Sequence, residues 1–201
     1  MNEPIEREGL LYNSEELRRY FELPDSEPDS IIAVCDTKDR GADYCVMPVA
    51  YQYGHDFYID SVICDNGNPE LVEARVINRL MDLGVQMARF ESNSAGGRVA
   101  QNVQEEIKKR GGFTKITTKF NTKNKETRIL VASAMVKEHF LFKDSSLLAD
   151  DKEYREFMQQ MCGYTLTGKN KHDDAPDALA MLVEFIETFT MQAAVVMKRP
   201  F

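Results

Sequence analysis

The segment KHDDAPDALAML, residues 171–182, crowds His172, Asp173, Asp174 and Asp177 into the mouth of an apolar helical pattern. Helix positions three and four apart share a face, so Asp177 aligns with Asp174 or with Asp173. Two more acids close strand-like runs far away in the sequence, Asp36 after IIAVC and Glu91 after VQMARF. Acids brought together without partners repel. Hard divalent cations relieve that repulsion, because Mg²⁺ and Mn²⁺ prefer oxygen ligands. Two such ions held about 3.5–4 Å apart activate a water and stabilise a leaving oxygen in phosphodiester hydrolysis. That chemistry needs acceptor-only side chains on rigid supports, and it needs no histidine or cysteine ligand.

Plainer readings compete. Asp36 alone suits a turn at a strand end. Capping and dipole complementarity account for one or two acids at the helix mouth, but not for a third inside an Ala/Leu helix. Glu91 in an apolar strand is costly unless something pairs with it. His172 reads as a neighbour of the site rather than a ligand. SAGGR, residues 94–98, lacks the GxxxxGK[ST] pattern of a phosphate loop. Its glycines predict a tight strand-to-helix turn that lets DNA approach.

The elements that must carry these residues follow from periodicity. IIAVCDT is a buried strand. DYCVMPVAYQYGHDFYIDSVICD holds two more, with a turn at Gly54, and Pro48 either demotes part of the first run or places it where its missing N–H does no harm. NPELVEARVINRLMDLG places Val72, Val76, Leu80 and Leu83 on one helical face. VQMARFES is a fourth strand, GGRVAQNVQEEIKKRGG a helix through Val99, Val103 and Ile107, and FTKITTKF a fifth strand. KETRILVASAMVKEHFLF starts as a helix and runs into aromatics, DKEYREFMQQM is amphipathic, and the last helix runs from near Asp173 toward Phe189. Near the N-terminus, NSEELRRYF predicts a short helix capped by Asn13. The order predicts an α/β fold: an antiparallel three-strand meander plus two parallel strands, flanked by helices. Functional groups of such sheets gather where strand ends meet helix starts.

Composition sets the outer bounds. The 201-residue chain is 43% hydrophobic, enough to bury one core. No apolar run approaches the eighteen or so residues of a membrane span. The four cysteines form no CxxC pair, which predicts free thiols in a reducing compartment. The net charge of −8 opposes strong DNA binding, although positive charge concentrates between Lys108 and Arg128.

AVCDT, ARFESNSAGG, NKETRILVASAMVKEHFLF and HDDAPDALA, in that order, resemble the nuclease domain of the large terminase subunit of tailed bacteriophages. The resemblance runs from about Ile31 to Phe189. It implies a ribonuclease H-like fold and a metal-dependent endonuclease that cuts concatemeric double-stranded DNA during genome packaging. It implies two divalent ions, Mg²⁺ or Mn²⁺, with Asp36 and Glu91 as the first- and fourth-strand ligands. The third ligand falls in HDDAPD, with Asp177 and Asp174 favoured and Asp173 in reserve. Lys119, Lys123, Lys125 and Arg128 are the expected contacts to the DNA backbone. The resemblance also implies a packaging ATPase domain, a small terminase subunit and a portal as partners, in the host cell cytoplasm and away from any membrane. The chain has no Walker A motif. Residues 1–30 are therefore expected to be the lead-in from a missing ATPase domain, and 31–201 the nuclease domain. Other readings are a junction resolvase or transposase-type nuclease, or a non-catalytic docking module of the packaging motor.

Overall fold

The computed structural model describes residues 9–37, 44–93, 96–122, 124–167 and 170–197, with side chains through residue 188. β2 (Ser30–Cys35), β3 (Cys45–Tyr53) and β4 (Asp56–Asp65) form the antiparallel meander, following β1 (Arg18–Tyr20). Then come α1 (Pro69–Asp82), β5 (Met87–Glu91), α2 (Gly96–Lys109), β6 (Lys115–Lys119), α3 (Lys125–His139), β7 (Phe140–Lys143), a 3₁₀ turn (Ser145–Leu148), α4 (Lys152–Gly163) and α5 (Asp174–Met197). The strands form one sheet in the order β1-β7-β4-β3-β2-β5-β6. β5 and β6 extend β2 in parallel, as the alternating helices require.

The period of two splits β2 between two cores. Ile32 and Val34 face a core built with α3, α4 and α5, while Ala33 and Cys35 face one built with α1 and α2. α5 lies inside the first core. Ala178 through Val183 are all buried, which explains a helix that is apolar nearly all round. No described helix is long and apolar enough to cross a membrane.

Two strands depart from expectation. NSEELRRYF makes only a turn at Asn13, whose carbonyl accepts from the Glu16 N–H, before Arg18–Tyr20 joins the sheet as β1. The aromatics ending α3 become β7, slotted in parallel between β1 and β4. Three or four residues are too short for a period to register, and only the neighbouring strands decide their state. The segment expected to be a lead-in thus supplies a strand, and Leu11, Tyr12 and Leu17 join the core.

Pro48 lies in a central strand. Asp36 and Val46 exchange both backbone hydrogen bonds at 3.0 Å, so the next such pair toward the hairpin would be Val34 with residue 48. Proline has no N–H to donate there, and the β2–β3 ladder breaks between Ala33–Val49 and Asp36–Val46. Asp36 stands just beyond the break, held to Val46 by its own pair of backbone bonds.

Candidate metal centre

Parallel pairing brings the first two acids together. Cys35 registers with Phe90, so Asp36 and Glu91 are next in line on adjacent strands, about 4.8 Å apart by strand spacing. Asp177 arrives from the first turn of α5 and is 2% exposed. One carboxylate oxygen from each of Asp36, Glu91 and Asp177 lies within 4.8 Å of the other two. They line an open cleft of about 330 Å³ with Thr37, Tyr44, Asn93, Lys125, Arg128, Asp173 and Asp174.

The surroundings fix each carboxylate differently. Glu91 Oε1 accepts from Asn93 Nδ2 at 2.8 Å and from Asn121 Nδ2 at 3.0 Å. Asn121 is tied down in turn, its N–H donating to Asn93 Oδ1 at 3.1 Å. Both oxygens of Asp177 accept from Arg128 Nη2 at 2.7 Å. Asp174 Oδ2 accepts from the Tyr44 N–H at 3.3 Å, and Asp173 Oδ1 accepts from Lys125 Nζ at 2.8 Å. Lys125 Nζ also stands 3.5 Å from Asp174 and 3.6 Å from Asp177.

Charge is under tension here. Asp36 keeps some exposed surface, yet the atoms crowded round its carboxyl strip it of water. That desolvation, with the charges of Glu91 and Asp177, raises its pKa well above the usual carboxylate range. Burial also pushes Asp177 up, to about 6, although Lys125 and Arg128 pull the other way. Burial works against the charge on Lys125, but Asp177, Asp173 and Asp174 outweigh it and raise its pKa. Asp36 and Asp177 resist ionising where they stand, and a divalent cation held by the three hard oxygen donors would relieve that cost.

Close approach of α2 completes the site. A Cβ on Gly96 would meet the Glu91 carbonyl oxygen at 2.0 Å and Thr37 Oγ1 at 2.7 Å. This glycine therefore admits protein backbone, where the sequence suggested room for DNA.

No protein-family model matches this chain, and no curated protein matches it in sequence. Solved structures do match. The human cytomegalovirus terminase nuclease domain, soaked with manganese and bound to an inhibitor, superposes with a TM-score of 0.63 at 13% identity over 88% of this chain and 95% of that one. This is the fold of terminase nuclease domains. The ribonuclease H-like sheet expected from the sequence is thereby borne out. The nuclease domain of the large terminase subunit gp2 of bacterial virus Sf6, a K428A mutant with manganese and β-thujaplicinol, gives 0.56 at 8% identity over 79% of this chain and 89% of that one. The large terminase of the thermophilic bacteriophage D6E gives 0.56 at 14% identity over 88% of this chain but 44% of that one. The matched part of this chain thus spans under half of the D6E protein. At such identities the likeness is one of fold.

Among the expected ligands, Asp36, Glu91 and Asp177 converge, whereas Asp174 and Asp173 sit on the cleft wall, outside the three-acid set. His172 packs edge-on against the Tyr44 ring, with centroids 5.2 Å apart. The cations expected on DNA are otherwise engaged. Arg128 is buried on Asp177, which corrects its reading as a surface contact. Lys119 Nζ donates to Glu184 Oε2 at 2.6 Å, and Lys125 is held by the acids. Lys123 lies outside the described residues. Asn93 and Asn121 were not anticipated. Each stands two residues past the end of its strand, where asparagine ordinarily signals only a turn.

Proposed function

We propose that this chain is a metal-dependent endonuclease that hydrolyses phosphodiester bonds of double-stranded DNA, acting as the nuclease part of a viral packaging terminase. The observation that carries the reading is the meeting of Asp36, Glu91 and Asp177, from β2, β5 and α5, within one cleft. The shared fold of nuclease domains crystallised with manganese supports it. These three carboxylates would hold Mg²⁺ or Mn²⁺, and Asp174 on the cleft wall extends the oxygen set toward a second ion. Bound there, such ions supply an activated water and a charge that stabilises the departing 3′ oxygen.

The protein's own groups do the rest. Asn93 and Asn121 orient Glu91. Burial of Asp177 excludes water from one side of the site. Lys125, 34% exposed at its side chain on the cleft wall, would meet a phosphate. The surrounding acids make the isolated domain a weak, salt-sensitive DNA binder. A packaging ATPase domain, a small subunit and a portal would supply grip and timing in the host cytoplasm.

The test is plasmid digestion with Mn²⁺, Mg²⁺ or chelator, using wild type and Asp36→Asn side by side. Wild-type cleavage with either ion, its loss in chelator and its loss in Asp36→Asn are the expected results. Undiminished Mn²⁺-dependent cleavage by Asp36→Asn refutes the assignment.

A further inference from the structure

Arg128 is an expensive residue for its position. It is 7% exposed, and its Nε and Nη1 have no hydrogen-bond partner among the described residues. A buried donor left unpaired costs free energy, and so does a buried charge. The same helix leaves Leu130 49% and Val131 73% exposed, so apolar side chains face water while a guanidinium is inside. Packing alone does not account for that choice. What the guanidinium touches is the acid cluster. Nη2 reaches both oxygens of Asp177 at 2.7 Å, and Nη1 stands 4.0 Å from Glu91 Oε1.

We propose that Arg128 is a positioning residue with two separable effects: it orients the Asp177 carboxylate toward Asp36 and Glu91, and its fixed charge weakens ion binding when DNA is absent. The inference rests on the nuclease reading above and adds a restraint to that site. Orientation comes from shape, because the rigid planar guanidinium fixes the one nitrogen, Nη2, that meets both carboxylate oxygens, whereas a lysine ammonium is a flexible point charge. Restraint comes from charge, because a buried cation beside three ligand carboxylates repels any second cation that enters. An ion then loads readily only when the phosphates of DNA add negative charge to the cleft.

The two effects are tested by two variants. Arg128→Met keeps an unbranched side chain and removes the charge; Arg128→Lys keeps the charge and removes the rigid planar group. Mn²⁺ affinity is measured by calorimetry on DNA-free protein, and cleavage by turnover at saturating Mn²⁺. Arg128→Met is expected to bind Mn²⁺ about tenfold tighter and to cleave at least about tenfold more slowly. Arg128→Lys is expected to bind Mn²⁺ like wild type and still cleave at least about tenfold more slowly. A purely structural role would lower stability in both and leave Mn²⁺ affinity unchanged. Wild-type Mn²⁺ affinity in Arg128→Met overturns the charge effect, and wild-type turnover in Arg128→Lys overturns the orientation effect. Should Arg128→Met not fold, Arg128→Gln takes its place in the charge test, with wild-type Mn²⁺ affinity again overturning that effect, and Arg128→Lys still decides the orientation effect. If the wild-type chain binds no Mn²⁺ and cuts no DNA, the nuclease reading fails first. If it does both, these variants judge Arg128 alone.

Discussion

Gly96→Ala is the sharpest single perturbation of this site, because adjacent glycines supply their own control. The added Cβ would stand 2.0 Å from the Glu91 carbonyl oxygen, where ordinary contact begins at 3.4 Å. The first turn of α2 and the end of β5 must therefore separate by the 1.4 Å difference, and Thr37 Oγ1 at 2.7 Å must also give way. Both obstacles adjoin carboxylates of the three-acid cluster. A shift of about 1 Å in a reacting group costs on the order of 10²-fold in rate. Overpacking costs roughly 1–3 kcal/mol, offset in part by about 0.5–1 kcal/mol for replacing glycine in a helix. The expected outcome is a protein about 1–2 kcal/mol less stable in urea, with Mn²⁺-dependent plasmid cleavage down about a hundredfold. A Cβ on Gly97 meets nothing nearer than Ser92 Cβ at 3.9 Å. Gly97→Ala should therefore be unchanged or up to about 1 kcal/mol more stable, with normal cleavage. If the two variants behave alike, close approach of α2 does not shape the site.

Asn121→Ala removes one of the two asparagine hydrogen bonds to Glu91 Oε1; cleavage should fall about tenfold or more while urea stability drops by only about 0.5–1.5 kcal/mol. Unchanged turnover would show that Asn93 alone suffices. Asp177 titrates near 6 in the fold against an ordinary 3.8, because burial disfavours its charge. Between about pH 4 and 6 the native state thus binds protons that the unfolded chain has lost, so this group's stabilisation declines as pH rises. In chelator, the stability of wild type relative to Asp177→Asn should fall across that window, while Mn²⁺ affinity climbs as the carboxylate ionises. A flat difference across the window refutes the raised pKa.

The long elements were legible in the sequence because their periods are. α1, α2 and the meander repeat their apolar positions over enough residues to declare themselves, and the turn at Gly54, with φ of 62°, was marked by the one residue that tolerates it freely. β1 and β7 were not legible, since a strand of three or four residues owes its conformation to the strands on either side. The partners of the cations were equally hidden. A sequence shows that Lys119 and Arg128 are basic, but not that Glu184 and Asp177, 65 and 49 positions away, claim them.

By itself the amino-acid sequence determined the supply of chemistry: acids at two strand ends and one helix mouth, on rigid apolar elements, inside a mixed sheet. Tertiary structure alone decided which acids meet. It chose Asp177 over Asp174 and Asp173 for the three-acid set, and it turned Arg128 inward against Asp177. The physical reason is that helical spacing leaves those aspartates on overlapping faces. The choice among them depends on how α5 is rotated against the sheet and α3, and packing across distant segments sets that rotation.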